Sequence, residues 1–282
     1  MHITCWGVRG SIAVPNPAMA RYGGNTSCVS VEHEGVVLIL DAGTGIRPLG
    51  AALSTRDVEV FVALTHLHTD HIEGFPFFRP LYDAAQTVHL VDYQYDATEW
   101  SLTSTMDGVH FPLKASEIPA TLRHHDALQG ALAPHGWHVT TQRVNHPGGA
   151  YGYRITCDGR TLVYIPDNEI ATRRAEATVS FDTLASFCQG ADILIHDAQY
   201  TDCDMPDKRG WGHSCLKDVC ELVQASGVDQ VVLFHHDPER TDEAIDEVQA
   251  TAREYLADTP VTCTAAYEGL SFALHGARSE KI

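Results

Sequence analysis

The sequence predicts a layered α/β protein in which sheets are covered by helices. Three observations carry this. Apolar, β-branched runs recur along the 282 residues, helical patterns lie between several of them, and run after run ends in a His or an Asp. A hydrophobic share of 44% and a charged share of 20% suit an ordinary folded chain with a sizeable core. Repeats, low-complexity tracts and long Pro/Gly/Ser linkers are all missing, so residues 1–282 are expected to form one domain.

In chain order, the apolar runs 28–31, 35–40, 58–64, 88–91, 161–165, 192–195 and 230–234 read as strands buried on both faces or nearly so. Helical patterns cover 46–53, 181–188, 215–225 and 242–256. The last follows Thr241, a good N-cap, and carries Asp242 and Glu243 in its first turn, where the helix dipole favours acids. Residues 80–140 have weak periodicity and are expected to be loops around small elements. Their His110, His124, His125, His135 and His138 read as surface residues, and the aromatics Tyr93, Tyr95, Trp100, Phe111 and Trp137 mostly as core.

The strand ends carry the chemistry. Leu64 leads into His66-Leu67-His68-Thr69-Asp70-His71, three imidazoles and a carboxylate where a buried strand gives way to a polar turn. His66 and His68, two apart on extended chain, point to the same side and can grip one divalent ion. Asp70 and His71 follow where the chain turns into a short helix and can reach a second. Further donors end other runs: Asp167 after Ile165, able to bridge two ions through its two oxygens, and His235 directly after Phe234, preferred over His236 for the last position. His146 comes from a turn rich in Gly and Pro. The expected group is two divalent ions, zinc first, with manganese or iron as alternatives.

Two features bear on substrate. His213 sits in Trp211-Gly212-His213-Ser214-Cys215, which is expected to open a helix with Ser214 as N-cap, so that His213 and free amides meet a phosphate. His196, Asp197 and Asp41 read as supports that orient the ligand histidines. Gly43-Thr44-Gly45 is too short for a dinucleotide fingerprint, and Cys215 near His213 is discounted as a nucleophile.

Nineteen basic against 37 acidic side chains leave a formal charge of −18, which disfavours a long nucleic acid partner. The eight cysteines form no C-x-x-C pair, the first residues show no secretory signal, and no run is long enough to span a membrane. A cytoplasmic protein with free thiols is expected, with a homodimer allowed.

Taken together, His66-x-His68-x-Asp70-His71, His146, Asp167 and His235 resemble the metallo-β-lactamase superfamily. So do the opening Trp6-Gly7-Val8-Arg9-Gly10-Ser11 and Tyr22-Gly23-Gly24-Asn25-Thr26-Ser27. His196-Asp197-Ala198 and Gly212-His213-Ser214 resemble its phosphodiesterase branch, which includes ribonuclease Z and the phosphoribosyl cyclic phosphodiesterases. The resemblance implies an αββα sandwich, two mixed sheets flanked by helices, with a dinuclear site at one sheet edge. It also implies His66, His68 and His146 on one metal, Asp70, His71 and His235 on the other, and Asp167 bridging. Ribonuclease Z proteins carry a basic arm that clamps tRNA, whereas residues 76–140 here hold only Arg79, Lys114 and Arg123 as basic side chains.

The expected activity is hydrolysis of a small phosphodiester, a cyclic nucleotide or cyclic sugar phosphate, by metal-activated hydroxide, with Asp70 and His213 catalytic. The alternatives are a hydrolase of carbonyl esters, thioesters or lactones, a ribonuclease Z-like RNA endonuclease, and a non-catalytic nucleotide sensor.

Overall fold

A computed structural model describes residues 1–91, 101–170 and 178–276; Tyr93, Tyr95 and Trp100 lie outside them. Thirteen strands are seen among these residues: β1 His2–Gly7, β2 Cys28–His33, β3 Val36–Leu40, β4 Glu59–Ala63, β5 Thr87–Val91, β6 Thr121–His125, β7 His138–Val144, β8 Ala150–Cys157, β9 Arg160–Ile165, β10 Ile193–Asp197, β11 Gln230–Phe234, β12 Thr262–Ala265 and β13 Ser271–Ala273. They form two mixed sheets, one ordered β13-β1-β2-β3-β4-β5-β6 and the other β12-β11-β10-β9-β8-β7. The helices are α1 Ile46–Leu53, α2 Leu128–Leu132, α3 Phe181–Cys188, α4 Met205–Lys208, α5 Leu216–Ser226 and α6 Asp242–Tyr255.

Alternation along each strand divides the side chains between layers. Leu38 and Leu40 of β3 join Phe61, Tyr153, Tyr164, Ile195 and Phe234 in a core between the sheets. Their neighbours Val37 and Ile39 face outward and pack with Ile46, Leu49 and Leu53 of α1. On the second sheet, Val163, Leu194 and Leu233 face α3, α5 and α6 through Leu184, Val219 and Val248. The result is the expected αββα sandwich. No helix among the described residues is long and apolar enough to cross a membrane.

Each of the seven runs became a strand and each of the four helical patterns a helix, with ends shifted by a residue or two. Residues 80–140 hold small elements with loops between them, and Trp137 is core, both as expected. Besides β5 and short helical turns they include α2 and two strands that were not anticipated, β6 and the start of β7. Those strands escape a hydrophobicity search because β6 is an edge with no fully buried residue and β7 buries only Val139 and Val144. Cysteine chemistry is quiet: all eight thiols are free.

The topology sends the chemistry to one end. β3 and β4 run parallel, as do β9, β10 and β11, so Asp41, His66, Asp167, Asp197 and His235 emerge together. The β7–β8 turn, antiparallel to β9, returns His146 to that same end.

Candidate metal centre

Two groups of donors meet around Asp167. The ligand atoms of His66, His68, His146 and Asp167 all lie within 4.8 Å of one another, as do those of Asp70, His71, Asp167 and His235. Asp167 divides its oxygens between them. Oδ2 is 3.6 Å from both His66 Nε2 and His146 Nε2, while Oδ1 is 3.1 Å from His71 Nε2 and 3.2 Å from His235 Nε2. Asp70 Oδ2 closes the second group, 3.1 Å from His235 Nε2 and 3.4 Å from His71 Nε2.

These contacts suit a shared cation better than hydrogen bonds. His66 Nε2, His71 Nε2 and Asp167 Oδ1 are fully buried and make no hydrogen bond, a costly state for polar atoms unless something else satisfies them. Separations between about 3 and 3.6 Å are what donors bonded at roughly 2.0–2.1 Å to a tetrahedral ion adopt. The residues therefore fit a pair of divalent metals.

The ring nitrogens turned away from the cluster are mostly held. His146 Nδ1 donates to the Gly212 carbonyl at 2.8 Å, His235 Nδ1 donates to Gln199 Oε1 at 2.8 Å, and His66 Nδ1 lies 3.0 Å from Thr65 Oγ1. His71 Nδ1 approaches Asp41 Oδ2 at 2.9 Å, and Asp41 is in turn fixed by the Thr65 amide, the Thr65 hydroxyl and Tyr164. Such partners set the tautomer and aim these four imidazoles inward.

Burial works against charge on the carboxylates, yet the surrounding histidines hold Asp70 and Asp167 well below the usual carboxylate range. Burial keeps His66 uncharged, well below its ordinary value, and lowers His146 to about 4. The site thus presents anionic carboxylates beside the neutral imidazoles of His66 and His146, the protonation that a metal requires. At His71, by contrast, burial is outweighed by the carboxylates of Asp167, Asp70 and Asp41, which raise the pKa well above its ordinary value.

Two hinges pay for this convergence in backbone strain. Asp41 and His235 sit at φ 63° and 58°, the left-handed region that non-glycine residues avoid. Gly10 makes room for the second: a Cβ there would lie 2.3 Å from His235 Nδ1.

His213 stands at the rim of the same cluster. Its Nδ1 donates to Asp197 Oδ2 at 3.0 Å and lies 3.9 Å from Asp167 Oδ2, and its ring stacks 4.9 Å from that of His235. Burial disfavours its cation, but Asp197 outweighs that and raises its pKa to about 9. The expected helix-end anion site is corrected. α5 begins later, with Cys215 as N-cap; Ser214 gives its hydroxyl to Asn168 O and its amide to Asp197. That amide is consumed in orienting His213 and does not face a ligand.

His236 turns away, donating from Nε2 to the Ala266 carbonyl at 2.8 Å, while His235 enters the cluster. His196 is buried and donates to the Asp197 carbonyl, outside both donor groups. None of His110, His124, His125, His135 and His138 belongs to them. Three partners carried no signal of their own in the sequence. The Ser11 amide donates to Asp70 Oδ2 at 2.8 Å, Gln199 holds His235, and Glu169 accepts from the Gly210 and Gly212 amides. Gly10-Ser11 and Gln199 nevertheless fell inside segments singled out for other residues.

Comparison with known proteins bears on the family and the fold. The model of the Beta-lactamase superfamily domain matches residues 37–236. Ribonuclease Z of Shouchella clausii (strain KSM-K16) is 25% identical over 271 residues, spanning 78% of this chain and 82% of that one. Among solved structures, the metallo-beta-lactamase fold protein YhfI from Bacillus subtilis superposes with a TM-score of 0.70 at 17% identity, covering 96% of this chain and 99% of its own. A diphosphatase from the PhnP family gives a TM-score of 0.67 at 18% identity, covering 99% of each chain.

Proposed function

This chain belongs to the metallo-β-lactamase superfamily, on its ribonuclease Z and phosphodiesterase side, and from that premise we propose a metal-dependent hydrolase of small phosphodiesters such as cyclic nucleotides or cyclic sugar phosphates. The observation that carries the reading is the pair of four-donor groups sharing Asp167, with buried donor atoms that no hydrogen bond satisfies.

His66, His68 and His146 would hold one ion, Asp70, His71 and His235 the other, and Asp167 both; zinc is the first choice. When bound, such a pair supplies Lewis-acid polarisation of a phosphoryl oxygen and a nucleophile available near neutral pH. The remaining work falls to side chains. Asp70 is fixed by the Ser11 amide and orients the attacking water. His213, held by Asp197 and protonated near neutrality, donates to the phosphate or to the leaving oxygen.

A charge of −18 and three basic residues across 76–140 support a small substrate. The ribonuclease Z relatives favour a second reading, an RNA endonuclease. The test is turnover of bis-p-nitrophenyl phosphate, cyclic nucleotides and a tRNA precursor by the purified protein before and after chelation, with metal analysis. Small diesters should be cleaved, with activity lost on chelation and regained with Zn²⁺ or Mn²⁺. Undiminished cleavage by stripped protein would end this reading, and cleavage of the RNA alone would favour the second.

A further inference from the structure

Beside His213 the chain displays an indole that the packing does not need. Trp211 is 57% exposed, on a loop anchored at both flanking amides. Gly210 and Gly212 on either side adopt φ 87° and 89°. The Glu169 carboxylate accepts from both their amides at 2.8 and 3.1 Å. Gly212 is wedged against the metal cluster: a Cβ there would meet Pro147 Cδ at 2.3 Å and His146 Nδ1 at 2.4 Å. The indole is therefore presented one residue from a backbone that touches a candidate metal ligand.

One cation accompanies it. Lys208 Nζ lies 3.9 Å from the centroid of the Trp211 ring and 5.8 Å from that of Tyr200, whose ring is itself 5.7 Å from His213. Lys208 makes no ion pair among the described residues, and Trp211 has no aromatic ring against it there. An exposed aromatic on an anchored loop with a lysine alongside, in a chain this acidic, matches what binds a planar base carrying phosphate. Stacking accepts any base, and the ammonium attracts the anion.

Resting on the phosphodiesterase reading, we propose that Trp211 and Lys208 form the base-binding part of the substrate site, which makes the preferred substrate a nucleotide phosphodiester over a cyclic sugar phosphate. The test needs no turnover. Zn²⁺-loaded protein is titrated with adenosine monophosphate and with ribose 5-phosphate, ligands that share the phosphate and differ by the base. Adenosine monophosphate should bind about tenfold or more tightly, the loss expected when a stacked base is removed. Trp211→Ala should erase most of that preference, Trp211→Phe should keep most of it, and the difference in indole quenching between wild type and Trp211→Phe should report the contact directly. Equal affinity of the wild type for both ligands, or an unchanged preference in Trp211→Ala, would overturn the proposal while leaving metal-dependent cleavage standing. The base preference persisting without any diester cleavage would remove the hydrolase reading and leave the nucleotide site.

Discussion

Two histidine groups draw on the first sheet, and they differ in what their nitrogens face. After β4, the rings of His66, His68 and His71 turn inward with His146 and His235 toward one carboxylate. Within this group only His68 Nδ1 and His146 Nε2 pair with each other, at 2.9 Å; across β4 to β6, His89 and His125 pair likewise, Nδ1 to Nε2 at 2.7 Å. Glu59 then lies 3.3 Å from His89 Nε2 and 3.6 Å from His135 Nε2, and Phe61 packs against all three rings. Both groups are rich in imidazole and include an acid. Only the first leaves several buried donor atoms unsatisfied and aimed at a common point, so donor direction, more than histidine count, marks a metal site.

The sharpest way to break this contrast is Asp167→Ala. Removing the carboxylate common to both donor groups should lower bound metal below two per chain and cut turnover by about a thousandfold or more, several kcal/mol of lost charge stabilisation. Metal analysis beside kinetics checks it; full metal content would mean the two groups do not share an anchor.

Next in size, His213→Ala should keep both metals and lose about 10²- to 10⁴-fold in rate, the usual worth of a positioned proton donor. Loss of metal in that variant would make His213 a ligand instead. Asp41→Asn tests the support behind His71: metal affinity should fall about 10- to 100-fold with the fold intact, as read by competition with a chromophoric chelator.

A smaller effect concerns His236, which neighbours His235 but faces Ala266. Burial, partly offset by that hydrogen bond, lowers its pKa to about 3, against about 6.5 in an unfolded chain. Between those values the unfolded chain takes a proton that the folded one refuses, so stability is fully present above pH 6.5 and drains as pH falls toward 3. At pH 5 the loss is about 2 kcal/mol. Urea denaturation at pH 7 and 5 should show His236→Gln losing less than wild type. Least of all, His125→Ala should leave metal content and turnover unchanged and cost about 1 kcal/mol of stability; a fall in bound metal would show that the second histidine group also holds an ion.

Most of the fold could be read from the letters because its central strands are apolar on both faces. Runs such as Val36-Val37-Leu38-Ile39-Leu40 serve the intersheet core and the helix layer at once, and no other element uses that pattern at that length. The strands that went unseen are those whose faces are partly wet, β6 and β7 above all. At the site, the seven residues singled out for metal do converge, and they stood out because imidazole and carboxylate at strand ends have few structural uses. Gln199 and Ser11 were not. One acts through an amide oxygen and the other through a backbone N–H, and such roles depend on tertiary neighbours and leave no mark in composition. The Ser214 expectation failed for a related reason: a serine before a helix looks like a cap until a nearer acceptor, Asn168 O, claims its hydroxyl.

The divided carboxylate of Asp167 has one more consequence. With Oδ2 toward one trio of histidines and Oδ1 toward the other group, the affinities of the two halves are thermodynamically linked. Whatever factor occupancy of one half imposes on the other is returned in equal measure. Loading curves for this protein should then depart from two independent hyperbolas, with the sign of the departure telling whether preorganisation or cation repulsion dominates.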